Sequence, residues 1–456
     1  MAAKCKKERL IALGPEPLAE MLLELAQQNK RISSNIDLLL APSHQRTGKL
    51  QTRIAGLKRR SSFVEWHHRA DLESELLDLL KTIRTTAKTA DEGLELLTGF
   101  YLCDKPTLER VDDSNGEIGD IFRYDATELF QEYASKCVDQ AQLVSIIEQL
   151  VEGNEYSVRD GAVKAATAAL AEDQLQELAG RFWNQAEQSK SEQQQRRWYY
   201  GIETVAMQLK DAPLYERACL AIHPEASSTI QLQIARAYLT CGNPETALDK
   251  ISVIHDLPDH WQNNKDDLLF KIQAALGNAA AQAEIAWRIF HRSKSEESLT
   301  RLLQVIGAGQ RETVLQEAKE EICAQKQLIY SDAHFLLRAG LAPQAEAYLL
   351  ARREQLNGAF YDLLLPLAQS LEQAELLVGV SILYRAMIDY ILQRATSKYY
   401  HHAVRYLRKL EKLNQTIENW QGVETHAAYA AQLAKAHMRK RAFWEKYAKP
   451  PESLLG

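Results

Sequence analysis

The sequence predicts an all-α protein, and three observations carry the prediction. Glycine and proline are scarce, 20 and 12 residues of 456, so few breakers interrupt long runs of the good helix formers Ala, Leu, Gln and Glu. Within those runs apolar residues return at intervals of three and four, the period of one helix face. A chain of this length also exceeds what one compact core holds, whereas stacked helical units, each packed on its neighbours, escape that limit. The expected layout is an N-terminal helical bundle over residues 1–110, helical repeats over 111–396 and a basic C-terminal capping hairpin over 397–456.

In chain order, Leu18, Leu22, Leu25 and Ala26 recur at helical spacing from Pro15 until Asn29-Lys30 ends the run. A short helix from Ile32 to Leu40 stops at Ala41-Pro42, because proline lacks the N–H that the helical ladder needs. Gln45 to Arg60 reads as a basic helix with Leu50, Ile54 and Leu57 on one side; Ala70 to Ile83 and Asp91 to Leu102 complete the bundle, which ends near Lys105-Pro106. The acidic stretch Val111 to Asp120 looks at first like a calcium loop. Setting Gly116 at the sixth loop position puts Val111 first and Phe122 twelfth, where carboxylates are required, so the stretch reads as a turn with a helix N-cap. Glu152-Gly153-Asn154-Glu155 repeats the device ahead of Tyr156.

Helix pairs follow: Ala162 to Leu170 with Gln174 to Gln188, then Glu192 to Leu209, whose start lies in the hydrophilic run Glu187 to Arg197. The clearest unit is Thr229 to Thr240, the break Cys241-Gly242-Asn243-Pro244, and Glu245 to Ile254. Its Ala235, Tyr238, Gly242 and Ala247-Leu248 resemble a tetratricopeptide-type hairpin, in which small residues let two helices approach, a tyrosine fills the groove and glycine makes the turn. The form returns at Ala333 to Ala339, Gly340, Ala345, Ala347 and Tyr348, while the units around Leu268 to Phe290 and Leu299 to Ala324 are degenerate. The fold class is therefore all-α, an N-terminal helical bundle followed by an irregular tetratricopeptide-like α-solenoid.

Three stretches carry a wider resemblance: DDSNGEIGDIF at 112–122, EYSVRDGAV at 155–163, and ILYRAMIDYILQRATSKYYHHAVRYLRKLEKL at 382–413 with the closing HMRKRAFWEKY at 437–447. Together they look like a bacterial family of helical-repeat proteins of unknown function. The closing part is also similar to helical tails attached to SWIM-type zinc fingers. The resemblance implies a tetratricopeptide-like fold without an assigned activity. The chain lacks the closely spaced Cys-x-Cys and Cys-x-His of the zinc-finger relatives, so that metal module is not expected here.

Charge is uneven beneath a net −6. Residues 1–110 carry 18 basic and 15 acidic side chains, residues 397–456 carry 11 and 5, and the middle is left at −15. Such asymmetry speaks to partners rather than to fold. Cys5, Cys103, Cys137, Cys219, Cys241 and Cys323 are scattered without a CxxC pair, the pattern of reduced thiols in a cytoplasmic protein. After Lys4-Cys5-Lys6-Lys7 the apolar run Leu10 to Leu13 is too short for a secretory signal, and no window suits a membrane span.

The sequence carries no HExxH, no GxxxxGK[ST] and no nucleophile elbow. Gly307-Ala308-Gly309 fits a helix C-cap better than a phosphate cradle. The pairs His67-His68 and His401-His402 put their two rings about 100° apart around a helix rather than on one face. No enzymatic activity, cofactor or metal is expected. The strongest candidate surface is cationic: Arg405, Arg408, Lys409 and Lys412 on one terminal helix, and Lys435, Arg439, Lys440, Arg441 and Lys446 on the next, with Tyr399, Tyr400, Trp420 and Trp444 nearby in sequence. The expected function is a protein or peptide interaction scaffold. The alternative is a nucleic-acid accessory protein in which these cations meet the backbone and the aromatics stack on bases. No membrane partner is expected, and the sequence sets no oligomeric state.

Overall fold

The protein is described by a computed structural model, which defines residues 8–255, 257–448 and 453. Cys5 and the Lys4 to Lys7 cluster lie outside the described residues. The described chain is all-α, its one β feature an isolated parallel bridge between Val64 and Val111. Among the described residues no helix is long and apolar enough to cross a membrane. Two compact units divide it, Met1–Trp261 and Gln262–Gly456. The first holds 30 basic and 40 acidic side chains, net −10; the second holds 25 and 21, net +4.

In the first unit the helices Ser43–Lys58, Arg69–Thr86 and Ala90–Tyr101 bring Leu50, Leu76, Leu97 and Phe100 into a core that excludes water from each of them. Burying one such leucine or phenylalanine contributes about 1.5–3 kcal/mol. The stop at Pro42 holds: helix Lys30–Leu40 ends before it, and Pro42 itself is the N-cap of the next. Helix Pro15–Gln28 forms at the expected place, yet none of its residues is buried.

The acidic stretch after Val111 acts as a cap. The Asp113 carboxylate accepts from the backbone N–H groups of Ile118 and Gly119, each at 2.8 Å, and Gly116 turns the chain with φ 81°. These are the free donors of a helix start, and a carboxylate satisfies them while complementing the helix dipole. The helix then runs through a π turn at Ile121–Asp125 before resuming as Ala126–Ala134. There the Ala126 N–H reaches back to Ile121 O and leaves the Phe122 carbonyl out of the ladder. The buried Tyr101 hydroxyl donates to it at 3.1 Å, with Thr127 Oγ1 at 3.4 Å, so the interruption leaves no orphaned acceptor. Asn154 works in the same way as Asp113, accepting from the Arg159 N–H and donating to Asp160.

Farther on, helices Ser228–Thr240 and Pro244–Ser252 pair across Gly242 at φ 86°, with Ala235 and Ala247 fully buried. In the second unit Tyr330–Arg338 and Ala342–Ala351 do the same across Gly340, also at φ 86°. Gly307, at φ 100°, ends helix Glu296–Ile306 as a C-cap. The core of this unit gathers Phe290, Leu336, Tyr348, Leu383, Leu407 and Phe443.

The last fifty residues differ from expectation in one respect. The sequence predicts two helices, and the second is split: Tyr400–Asn414 is followed by His426–His437 and then by Arg441–Tyr447. Lys440 leaves helical geometry at ψ 66°, and the buried Trp444 indole N–H donates to the His437 carbonyl at 2.9 Å. An indole that needs a partner in the core thus takes the acceptor freed at the helix end.

Candidate functional site

The predicted cations fall into two groups. Arg405, Arg408, Lys409 and Lys412 project from one side of helix Tyr400–Asn414, spaced by three and four, and Lys446 joins them from Arg441–Tyr447. With His401 and Val404 these five line one depression of about 540 Å³. Two are tied to other elements, and Arg405 meets His402 and the Tyr406 hydroxyl on its own helix. Lys409 pairs with Glu372, and Arg408 donates to the Lys446 and Tyr447 carbonyls at 3.2 and 3.4 Å, closing the C-terminal end of the last helix. Arg405 lies over the Tyr406 ring, 5.2 Å from its centroid. The groove therefore presents Arg405, Lys412 and Lys446 as exposed cations with one flank of Arg408. Lys435, Arg439, Lys440 and Arg441 do not line it; they sit at the break between the last two helices.

The aromatic residues do not join these cations. Tyr400 and Trp444 are core residues, and Trp420 lies against the guanidinium of Arg385 at 5.0 Å. Tyr399 alone of the four is exposed. The His401 and His402 rings stand 3.9 Å apart, tilted, with His401 Nδ1 against the Lys398 carbonyl. Among the described residues no three His, Cys, Asp or Glu side chains converge in a way that could hold a metal ion.

Sequence reasoning passed over two further sites. The first, in the second unit, is a cleft of about 830 Å³ between helix Leu377–Gln393, the segment 353–358 and the turn at Gly422 to Glu424. The buried Glu346 carboxylate fixes the helix and the turn together, accepting from the Gly379 N–H at 2.7 Å and from the Gln421 amide at 3.2 Å. Gly358 fixes the third wall: a Cβ there would meet the Ala386 carbonyl oxygen at 2.1 Å, so only glycine lets this backbone lie against the helix. On the cleft floor stand Arg385 and, one helical turn on, Asp389. Tyr429 donates to Asp389 at 2.8 Å, and burial pushes both the Asp389 carboxyl and the Tyr429 hydroxyl up. The signal was present as an Arg and an Asp four apart inside the long apolar helix ILYRAMIDYIL, where polar residues need a reason.

The second site is in the first unit, where Glu203 lines a cleft of about 700 Å³ with Tyr200, Asp160 and Arg197. The Cys219 thiol donates to Glu203 Oε1 at 3.2 Å. Burial pushes the Glu203 carboxyl up to about 7, and burial beside that acid raises Cys219 and Tyr215 as well.

Compared with known proteins, the chain has no match among curated entries. A family described only as being of unknown function, DUF6880, matches it twice in succession, over residues 3–224 and 218–446. Those two stretches take in both clefts, the cationic groove and nearly every helix described above, and the chain belongs to that family.

Proposed function

We propose that the chain is a non-enzymatic interaction scaffold of the cytoplasm, assembled from tetratricopeptide-like hairpins, and that helix Pro15–Gln28 is one of its docking surfaces. One observation carries this reading. The helix buries none of its residues, and Met21, Leu22, Leu23 and Leu25 stay 42–56% exposed, with Leu10, Ile11 and Leu13 exposed before it and Leu39 and Leu40 after it. Large apolar side chains left exposed in this number along one helix are what a partner covers. Glu16, Glu20 and Glu24 follow one another at four-residue spacing along the same helix, so the partner it fits is an amphipathic helix whose apolar stripe is flanked by Lys or Arg.

The test replaces Leu22 and Leu25 by Glu together. Both are exposed, so the fold should lose no more than about 0.5 kcal/mol. A basic amphipathic partner captured by the wild type and lost by the variant supports the reading. Equal capture by both overturns it, as does a wild-type dimer in sedimentation that the variant dissociates, since the face would then belong to a second copy.

The cationic groove favours a second reading, that of a nucleic-acid accessory protein. It supplies three exposed cations and part of a fourth on one depression. Its lining offers backbone binding without aromatic stacking, because Tyr400 and Trp444 are in the core and the exposed Tyr399 does not line it. Fluorescence anisotropy with short single and double strands tests it: log affinity should fall against log salt with a slope of about −2 to −4. Arg405→Glu with Lys412→Glu should abolish the signal. Binding unmoved by salt or by that variant removes this reading.

A further inference from the structure

Arg385 is 5% exposed, and its one hydrogen bond among the described residues runs from Nη1 to the Glu424 carbonyl at 3.0 Å. Nε and Nη2 are buried and meet no acceptor. The Glu424 carboxylate stands on the Nη1 side, 3.9 Å away. The plane of the guanidinium is held by the Tyr429 ring at 4.8 Å and the Trp420 ring at 5.0 Å. A buried donor without an acceptor costs about 1–3 kcal/mol, more on a charged group. Here two such donors share one edge of one cation, the edge whose parallel N–H bonds match the two oxygens of a carboxylate.

We propose that the cleft lined by Arg385, Asp389 and Glu424 is a binding site for a free carboxylate, which the Nε–H and Nη2–H edge of Arg385 takes bidentately. Turning that edge toward the cleft breaks a single direct hydrogen bond, the one to the Glu424 carbonyl. The acidic neighbours select the ligand. Asp389, Glu424 and Glu354 all line the cleft, so a phosphate dianion meets three carboxyls, whereas a monoanionic carboxylate with an N–H group beside it finds a donor for its oxygens in Arg385 and an acceptor for its N–H among the acidic side chains. The shared chemistry is that of a free amino acid and of a peptide C-terminus. The proposal stands apart from the docking reading of helix Pro15–Gln28.

The experiment is calorimetric titration of the full chain with four probes: L-glutamate, a short peptide with a free C-terminal carboxylate, the same peptide as its C-terminal amide, and inorganic phosphate. A carboxylate should saturate in the millimolar range or tighter, and the amide should bind at least about tenfold more weakly, since it leaves part of the fork unpaired. Saturation by glutamate assigns a small-molecule ligand, saturation by the peptide acid alone a chain terminus, and either supports the site. Arg385→Lys keeps the charge and removes the fork, and should weaken binding about tenfold or more, while Arg408→Gln, in the cationic groove, should leave it unchanged. Should Arg385→Lys fail to fold, the comparison of acid with amide on the wild type still decides. The proposal is overturned if no carboxylate saturates, if acid and amide bind alike, if phosphate binds in preference, or if Arg408→Gln rather than Arg385→Lys removes the signal.

Discussion

Arg159 in the first unit and Arg385 in the second are both more than nine-tenths buried, and they use the same edge of the guanidinium differently. Arg159 directs Nε to Asp104 Oδ2 at 2.7 Å and Nη2 to Oδ1 at 2.6 Å, a bidentate fork against a carboxylate that is itself fully buried. Gly153 makes room for it: a Cβ there would stand 2.6 Å from Arg159 Nη1. At Arg385 the corresponding two nitrogens meet no acceptor among the described residues. One arginine is internally complete. The other is held in place by two rings and a carbonyl with its fork unspent, which is the arrangement of a structural tie in the first case and of a receptor in the second.

That contrast is open to breakage, beginning with its larger side. Arg159→Gln strands the Asp104 carboxylate in the core, and removing one partner of a buried pair costs about 3–5 kcal/mol. Urea unfolding followed by circular dichroism should show it, and a loss below about 1 kcal/mol would deny that the pair is a tie. Next in size is a pH effect confined to the first unit. Glu203 is raised in the folded chain from its ordinary 4.5 to about 7, so the native state binds its proton more tightly than the unfolded one. The stability this group contributes is therefore full below about pH 4.5 and is lost as pH rises through 7, by on the order of 2–3 kcal/mol. Thermal melts from pH 5 to 8 should fall for the wild type and flatten in Glu203→Gln; parallel curves for the two proteins would refute the assignment.

Arg385→Met should shift stability by no more than about 1 kcal/mol in either direction, because a desolvated cation with most of its donors unmet is replaced by an apolar chain of similar length. A loss as large as that for Arg159 would make Arg385 a tie after all. The smallest effect belongs to Lys409→Ala. Its pair with Glu372 is partly solvated, and the change should cost about 0.2–1 kcal/mol, shrinking in high salt.

The all-α class was legible because it rests on local information: sparse Gly and Pro, apolar spacing, and breakers at Pro42, Gly242, Gly307 and Gly340 that all stop helices in the structure. Half of the cationic surface was legible for the same reason. Arg405, Arg408, Lys409 and Lys412 share a side through spacing alone, whereas Lys446 reaches them through packing of a helix that the sequence does not show as separate. Met438, Arg439 and Lys440 are good helix formers, so propensity spans a break that the Trp444 indole enforces from the core. The Arg385 cleft was out of reach in a different way. Its floor, wall and rim come from residues 385–389, 353–358 and 422–429, and the empty fork exists only as a mismatch among them.

The π turn at Ile121–Asp125 has a consequence for how such chains can be lengthened or shortened. It holds one residue more than a straight helix would over the same rise, and Tyr101 takes the carbonyl that the surplus frees. Deleting a single residue there would heal the ladder and leave Leu129 and Phe130 facing the core they fill, because the surplus is absorbed within the turn; what it would remove is the free carbonyl to which the buried Tyr101 hydroxyl donates. The turn works as an expansion joint: a one-residue gap inside it keeps the capped start and the packed end of the helix in register, whereas the same gap in Ala126–Ala134 would dephase them by about 100°.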